Sequence, residues 1–140
     1  MVYIVDDGAD YRFLVQQVFT LFLPQHPVRF FADGANLVDA LNSLTRDVWP
    51  EVIVLDVDMP RLDGFQTLVH LKQHSDWQSV PVVMMTNRTD RDYQQESFRL
   101  GASAFVPKPM DLLGIKTVMT QLCERSGDFA SLPRLNQPAA

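Results

Sequence analysis

The sequence predicts an α/β fold: a doubly wound, parallel five-stranded sheet made from a βα unit repeated five times. Two observations predict it. Short runs rich in β-branched residues alternate with longer amphipathic stretches. The run VIVLD at 52–56 is apolar at successive positions, as in a strand buried on both faces. Alternation of this kind puts helices on both sides of a parallel sheet, joined by right-handed crossovers.

VYIV (2–5) is the first strand and ends on Asp6-Asp7. Leu14, Val18 and Leu21-Phe22 then recur at helical spacing until Pro24 stops the first helix. VRFF (28–31) is the second strand, and Asp33-Gly34 turns the chain into a helix carrying Leu37, Val38, Leu41 and Leu44. The third strand, 52–56, is followed past Gly64 by FQTLVHLKQH, the third helix. VPVVMMT (80–86) is the fourth strand, with Pro81 tolerable at its start. A polar helix covers about 89–100. ASAFVPK (102–108) is the fifth strand and MDLLGIKTVMTQLCER the last helix. The composition changes after that, to small and polar residues with Pro133 and Pro138. Residues 1–125 therefore read as one domain and 126–140 as a loose tail without an output domain. Phe129, Leu132 and Leu135 in that tail have the character to dock on the body or a partner.

A chain of 140 residues suffices for one domain with a real core. Its 46% apolar and 21% charged residues are ordinary for a soluble protein. A net charge of −5 argues against a general nucleic-acid surface, so no direct DNA binding is expected. Cys123 is the single cysteine, which excludes an internal disulfide and fits a reducing compartment. No run is long enough to span a bilayer, and the expected location is cytoplasmic. His26, His70 and His74 lack the grouping of metal ligands. Trp49 and Trp77 flank strands and read as packing residues.

In open parallel sheets, sites form beyond the carboxyl ends of the strands. The residues at those ends are Asp6 and Asp7, Asp56, Thr86 and Lys108. Taken singly, most have bland readings: Asp6-Asp7 as a turn and helix cap, Thr86 as a strand residue, Lys108 as a solvated lysine. The specificity lies in the combination. Clustered carboxylates need a cation, and oxygen ligands suit a hard ion such as Mg²⁺, which leaves room for phosphate. Lys108 neutralises further charge as a point donor. A carboxylate is itself a nucleophile toward phosphorus and forms an aspartyl phosphate. Catalysis is then mostly positioning and charge neutralisation.

The set VDD (5–7), VLDVDMPRLDG (54–64), VVMMT (82–86) and FVPKP (105–109) resembles the response-regulator receiver domain of bacterial two-component signalling, over about residues 1–125. The resemblance implies a flavodoxin-like sheet in the order 2-1-3-4-5. It implies that Asp56 accepts a phosphoryl group from a sensor histidine kinase or a histidine phosphotransfer protein. Asp7, Asp56 and the backbone carbonyl of Asp58 would ligate Mg²⁺ (or Mn²⁺), with Asp6 sharing the ligation or acting through bound water. Thr86 and Lys108 would hold the phosphoryl oxygens, and the Lys108–Pro109 bond is expected to be cis. Phe105 occupies the family's switch position and would rotate inward as Thr86 moves. The output would be a downstream protein target or a phosphorylation-dependent homodimer, reached through the fourth helix, fifth strand and fifth helix. That fourth helix carries only Tyr93, Phe98 and Leu100 as sizeable apolar residues, so it is expected to be weakly held.

Asn87 stands where receivers usually carry alanine or glycine, and would narrow access to Asp56. Asp58 and Arg88, each two residues past a key group and opposite in charge, are expected to pair across the site mouth and slow loss of the phosphate. Asp63 with Gly64 reads as a helix cap. Two other readings compete. A haloacid-dehalogenase-type phosphohydrolase also ends a strand in Asp-x-Asp, but on the chain's first strand and with its acidic pair much later. A receiver-like binding module without phosphorylation would not need the complete set of residues found here.

Overall fold

In a computed structural model of the protein, the described residues are 1–45, 48–88 and 90–124. They form β1 (Val2–Val5), α1 (Ala9–Phe22), β2 (Val28–Phe31), α2 (Gly34–Asn42), β3 (Val52–Asp56), α3 (Gly64–Gln73), β4 (Val82–Thr86), α4 (Arg91–Arg99), β5 (Ala104–Pro107) and α5 (Leu112–Glu124). The sheet is wholly parallel in the order β2-β1-β3-β4-β5. The βα alternation and the strand order are therefore those expected. The tail at 126–140, with Phe129, Leu132 and Leu135, lies outside the described residues.

The strands are apolar on both faces because both faces are covered. β1 and β3 are buried at every position. One face packs with α1 and α5, around Ile4, Val15, Val18, Phe19, Val54, Ile115 and Met119. The other packs with α2, α3 and the flank of α4, around Tyr3, Leu37, Leu41, Leu55, Leu68, Met84 and Phe105. Trp77 is buried and stacks on His74 at 3.9 Å, which confirms its packing role. Among the described residues, no helix is long and apolar enough to cross a membrane.

Local chemistry fixes the helix ends. Asp63 accepts from the Gln66 backbone N–H while the Gln66 side chain accepts from the Asp63 N–H, a reciprocal cap on α3. Asp33 caps α2 by accepting from the Asn36 N–H at 2.9 Å. α4 has Asp90 at its start but no side-chain cap hydrogen bond. It ends at Gly101, whose φ of +104° suits a residue without a Cβ.

Two strands are shorter than their sequence runs. β4 begins at Val82 rather than 80, because Pro81 has no N–H and contributes only its carbonyl, which accepts from Ile53. β5 begins at Ala104, since Ser103 bonds back to the Val82 carbonyl before the ladder starts.

Candidate functional site

β1 and β3 are adjacent central strands, so their ends deliver Asp6 and Asp56 side by side. Asp7 follows on the loop into α1. One carboxylate oxygen from each of Asp6, Asp7 and Asp56 lies within 4.8 Å of the others. Asp6 and Asp56 are buried and Asp7 is exposed. β4, next in the sheet, brings Thr86, which is fully buried. β5 brings Lys108, whose backbone N–H donates to the Thr86 carbonyl at 3.0 Å.

The ammonium of Lys108 reaches Asp6 at 2.6 Å and Asp56 at 3.6 Å. One cation thus offsets two buried carboxylates, and the balance stays negative. Asp56 registers the deficit. Burial and then Asp6 push its carboxyl up to about 6, against the opposing pull of Lys108. A compact group of oxygen donors with excess negative charge fits a hard divalent cation.

Several side chains hold this arrangement. The other carboxylate oxygen of Asp6 accepts from the Gly8 N–H at 2.8 Å, and its backbone carbonyl accepts from Arg12 at 2.7 Å. Tyr11 puts its ring beneath the Lys108 ammonium, 4.2 Å from centroid to nitrogen. The Tyr11 hydroxyl donates to the Pro109 carbonyl at 2.8 Å. Burial, then Asp6 and Asp56, raise the tyrosine's pKa, so it remains a protonated donor.

The loop after Asp56 is fixed twice. The Gly64 N–H donates to the Val57 carbonyl at 2.8 Å. A Cβ on Gly64 would fall 2.3 Å from the Asp56 carbonyl oxygen and 2.6 Å from the Val57 Cα, so only glycine allows this approach. Farther along, Arg61 is held at φ +64° by an ion pair with the buried Asp33. Burial alone would raise the Asp33 carboxyl, but the hydrogen bonds from Arg61 and Asn36 outweigh it and hold it below the usual range. The loop after β3 is thereby tied to the start of α2.

Asp6, Asp7, Asp56, Thr86 and Lys108 gather as expected. Phe105, expected to rotate inward, already lies fully buried in the layer below α4. Asn87 is exposed. Two further expectations are corrected. The Lys108–Pro109 bond is trans, not cis: no described peptide bond is cis. The trans form carries its own preference of about 0.5–1 kcal/mol before proline. In it the Pro109 carbonyl meets Tyr11 while Lys108 already reaches both acids. Asp58 and Arg88 do not pair directly either. Tyr93 comes between them: its hydroxyl donates to Asp58 at 3.3 Å and its ring carries the Arg88 guanidinium at 4.4 Å. The contacts made by Tyr11, Arg12, Tyr93 and the Arg61–Asp33 pair carry no signal in the sequence.

A doubly wound sheet whose carboxyl edge gathers acids, a hydroxyl and a lysine in this way belongs to the receiver class. The chain is a member of the response regulator receiver domain family, whose model matches residues 2–120. It is 34% identical over 143 residues to a protein-glutamate methylesterase/protein-glutamine glutaminase of Rhodospirillum centenum, covering 98% of this chain and 34% of that one. It is 31% identical over 112 residues to the DNA-binding transcriptional regulator NtrC of Escherichia coli, covering 80% of this chain and 22% of NtrC. The chain thus spans 34% and 22% of the length of these two relatives. Among solved structures it resembles the chemotaxis response regulator CheY4 of Vibrio cholerae, with a TM-score of 0.72, 25% identity, and coverage of 86% and 96%.

Proposed function

We propose that this chain is a phosphorylation-controlled signalling switch with Asp56 as its acceptor. The observation that carries the reading is a buried carboxylate at a strand end, beside two further acids and within 3.6 Å of a lysine that also serves Asp6. A sensor histidine kinase or a histidine phosphotransfer protein is the donor. The Asp56 oxygen attacks phosphorus in line. The P–N bond of the phosphohistidine breaks, and its electron pair stays on the imidazole nitrogen.

Asp6, Asp7, Asp56 and the backbone carbonyl of Asp58 would hold Mg²⁺ or Mn²⁺. When bound, the cation neutralises charge on the transferring phosphoryl group. Lys108 shifts from its present carboxylate partners toward a phosphoryl oxygen. The Thr86 hydroxyl accepts from the Arg88 N–H at 3.0 Å and keeps its own hydrogen to donate to another. That movement, with Phe105 beneath, is the switch that reshapes the face made by α4, β5 and α5 for a downstream protein or a second copy. Asp58, Asn87 and Arg88 at the mouth tune how long the phosphate persists. The chain catalyses only its own phosphorylation and dephosphorylation, acts in the cytoplasm, and needs no DNA contact of its own.

Acetyl phosphate with Mg²⁺ tests the reading. Wild type takes up about one phosphoryl group per chain, none when EDTA is present from the start, and Asp56→Asn takes up none. Equal labelling of the two would overturn the site, and no labelling of wild type would favour the binding module.

A further inference from the structure

Tyr93 lies outside the acid pocket, yet it touches every loop that frames the pocket's mouth between β3 and β4. Its hydroxyl donates to the Asp58 carboxylate, on the loop after β3. Its ring carries the guanidinium of Arg88, on the loop after β4. The ring's flank packs edge-on against Phe65, in the first turn of α3, with centroids 5.2 Å apart. Tyr93 itself belongs to α4, whose buried positions are only Gln94 and Ser97. Asp58 and Arg88 are both exposed. Among the described residues, Tyr93 is the side chain that places both at the mouth.

We propose that Tyr93 is a positioning residue that spans the mouth, fixes Asp58 and Arg88 across it, and so sets the lifetime of the phosphorylated state. This rests on Asp56 being the acceptor. In hydrolysis a water oxygen bonds to phosphorus while the Asp56 oxygen–phosphorus bond breaks. The carboxylate leaves with the electron pair, and the water's proton passes to the released phosphate or to solvent. The attacking water must reach the side of phosphorus opposite Asp56, the side that opens to solvent between Asp58 and Arg88. An aromatic ring bound on both flanks hinders that approach. Tyr93 acts through Asp58 and Arg88 and touches no reacting atom. Because it is part of α4, the same contacts join the signalling face to the site, so a change at the mouth pulls on the first turns of α4.

The experiment follows the decay of protein labelled with acetyl phosphate and Mg²⁺, after removal of the donor. Tyr93→Phe keeps the ring and loses the bond to Asp58; Tyr93→Ala loses both. Decay should quicken by roughly threefold in Tyr93→Phe and roughly tenfold in Tyr93→Ala, the range one or two modest contacts control. Adding Tyr93→Phe to Asp58→Ala should then change nothing further, because the hydroxyl has no partner left. A stabilising role alone would lower the unfolding midpoint of the variants and leave these rate constants and their non-additivity unmoved. If wild type labels and decays at the same rate as Tyr93→Phe and Tyr93→Ala, or if the double variant shows the full additive increase, the proposal is wrong. If wild type does not label at all, the acceptor assignment fails and takes this inference with it.

Discussion

α1 and α4 both begin beside the acid pocket, yet they are secured in opposite ways. α1 buries Tyr11, Val15, Val18 and Phe19 in the layer it shares with α5. From that base Tyr11 and Arg12 reach back to Lys108, Pro109 and Asp6. α4 buries only Gln94 and Ser97, has no side-chain cap, and leans on the sheet through the flanks of Tyr93 and Phe98. Apolar burial is non-directional and strong, whereas a few polar and aromatic contacts are specific and weak. The pocket therefore has one wall held by deep apolar burial and another held by a few specific contacts.

The largest test of this contrast is thermodynamic. Phe19→Ala should cost about 3–5 kcal/mol, the usual loss for a fully packed phenylalanine. Phe98→Ala, on the half-buried flank of α4, should cost no more than about 1–2 kcal/mol. Urea denaturation of both variants measures the difference, and equal losses would erase the distinction between the walls. Hydrogen exchange should agree, with α4 amides opening well before those of α1.

Next in size is the charge held between the walls. Asp56 has a folded-state pKa of about 6 against an ordinary 3.8. Its folded form binds a proton more tightly than its unfolded form, so its contribution to stability falls as pH rises through that window. Wild type should lose on the order of 2 kcal/mol relative to Asp56→Asn between about pH 4 and about pH 7.5 without divalent cation. Mg²⁺ should restore much of this in wild type at the higher pH and little in the variant. Unfolding curves at both pH values check it; parallel curves would mean that Lys108 already balances the pocket.

The smallest effect concerns the fixed wall's own aromatic. Replacing Tyr11 by Leu removes the surface beneath Lys108 and should slow Mg²⁺-dependent labelling by roughly fivefold, a loss typical of one cation–π contact. Tyr11→Phe keeps the ring and should retain most of the rate. Labelling time courses decide it: equal slowing in both would shift the role from the ring to the hydroxyl.

Asp6, Asp7, Asp56, Thr86 and Lys108 were legible because position along a strand is a one-dimensional property. An apolar run ends where its polar residue begins, and parallel strands all end on one edge. Asp63 was legible for the same reason, its cap partner lying three residues on. Tyr11 was not. It falls on the apolar stripe of α1 and looks like core, and only the approach of β5 places Lys108 over its ring. Tyr93 was noticed as one of the few apolar residues of α4, but its contacts with Asp58, Arg88 and Phe65 depend on how α4 sits against two loops. The expected Asp58–Arg88 pair had the right residues and the right mouth, with a third side chain inserted between them. Arg61 and Asp33 are 28 positions apart and meet through a left-handed turn that no hydrophobic period encodes.

Gly64 carries no side chain and would attract no notice in a search for chemically active groups. Yet the nearest obstacle to any larger residue there is the carbonyl oxygen of Asp56, the proposed acceptor, 2.3 Å from where a Cβ would stand. A random-mutation screen for silent signalling would therefore recover lesions at Gly64 alongside those at Asp56, and a chemist sorting them by functional group would misfile the glycine as a folding defect.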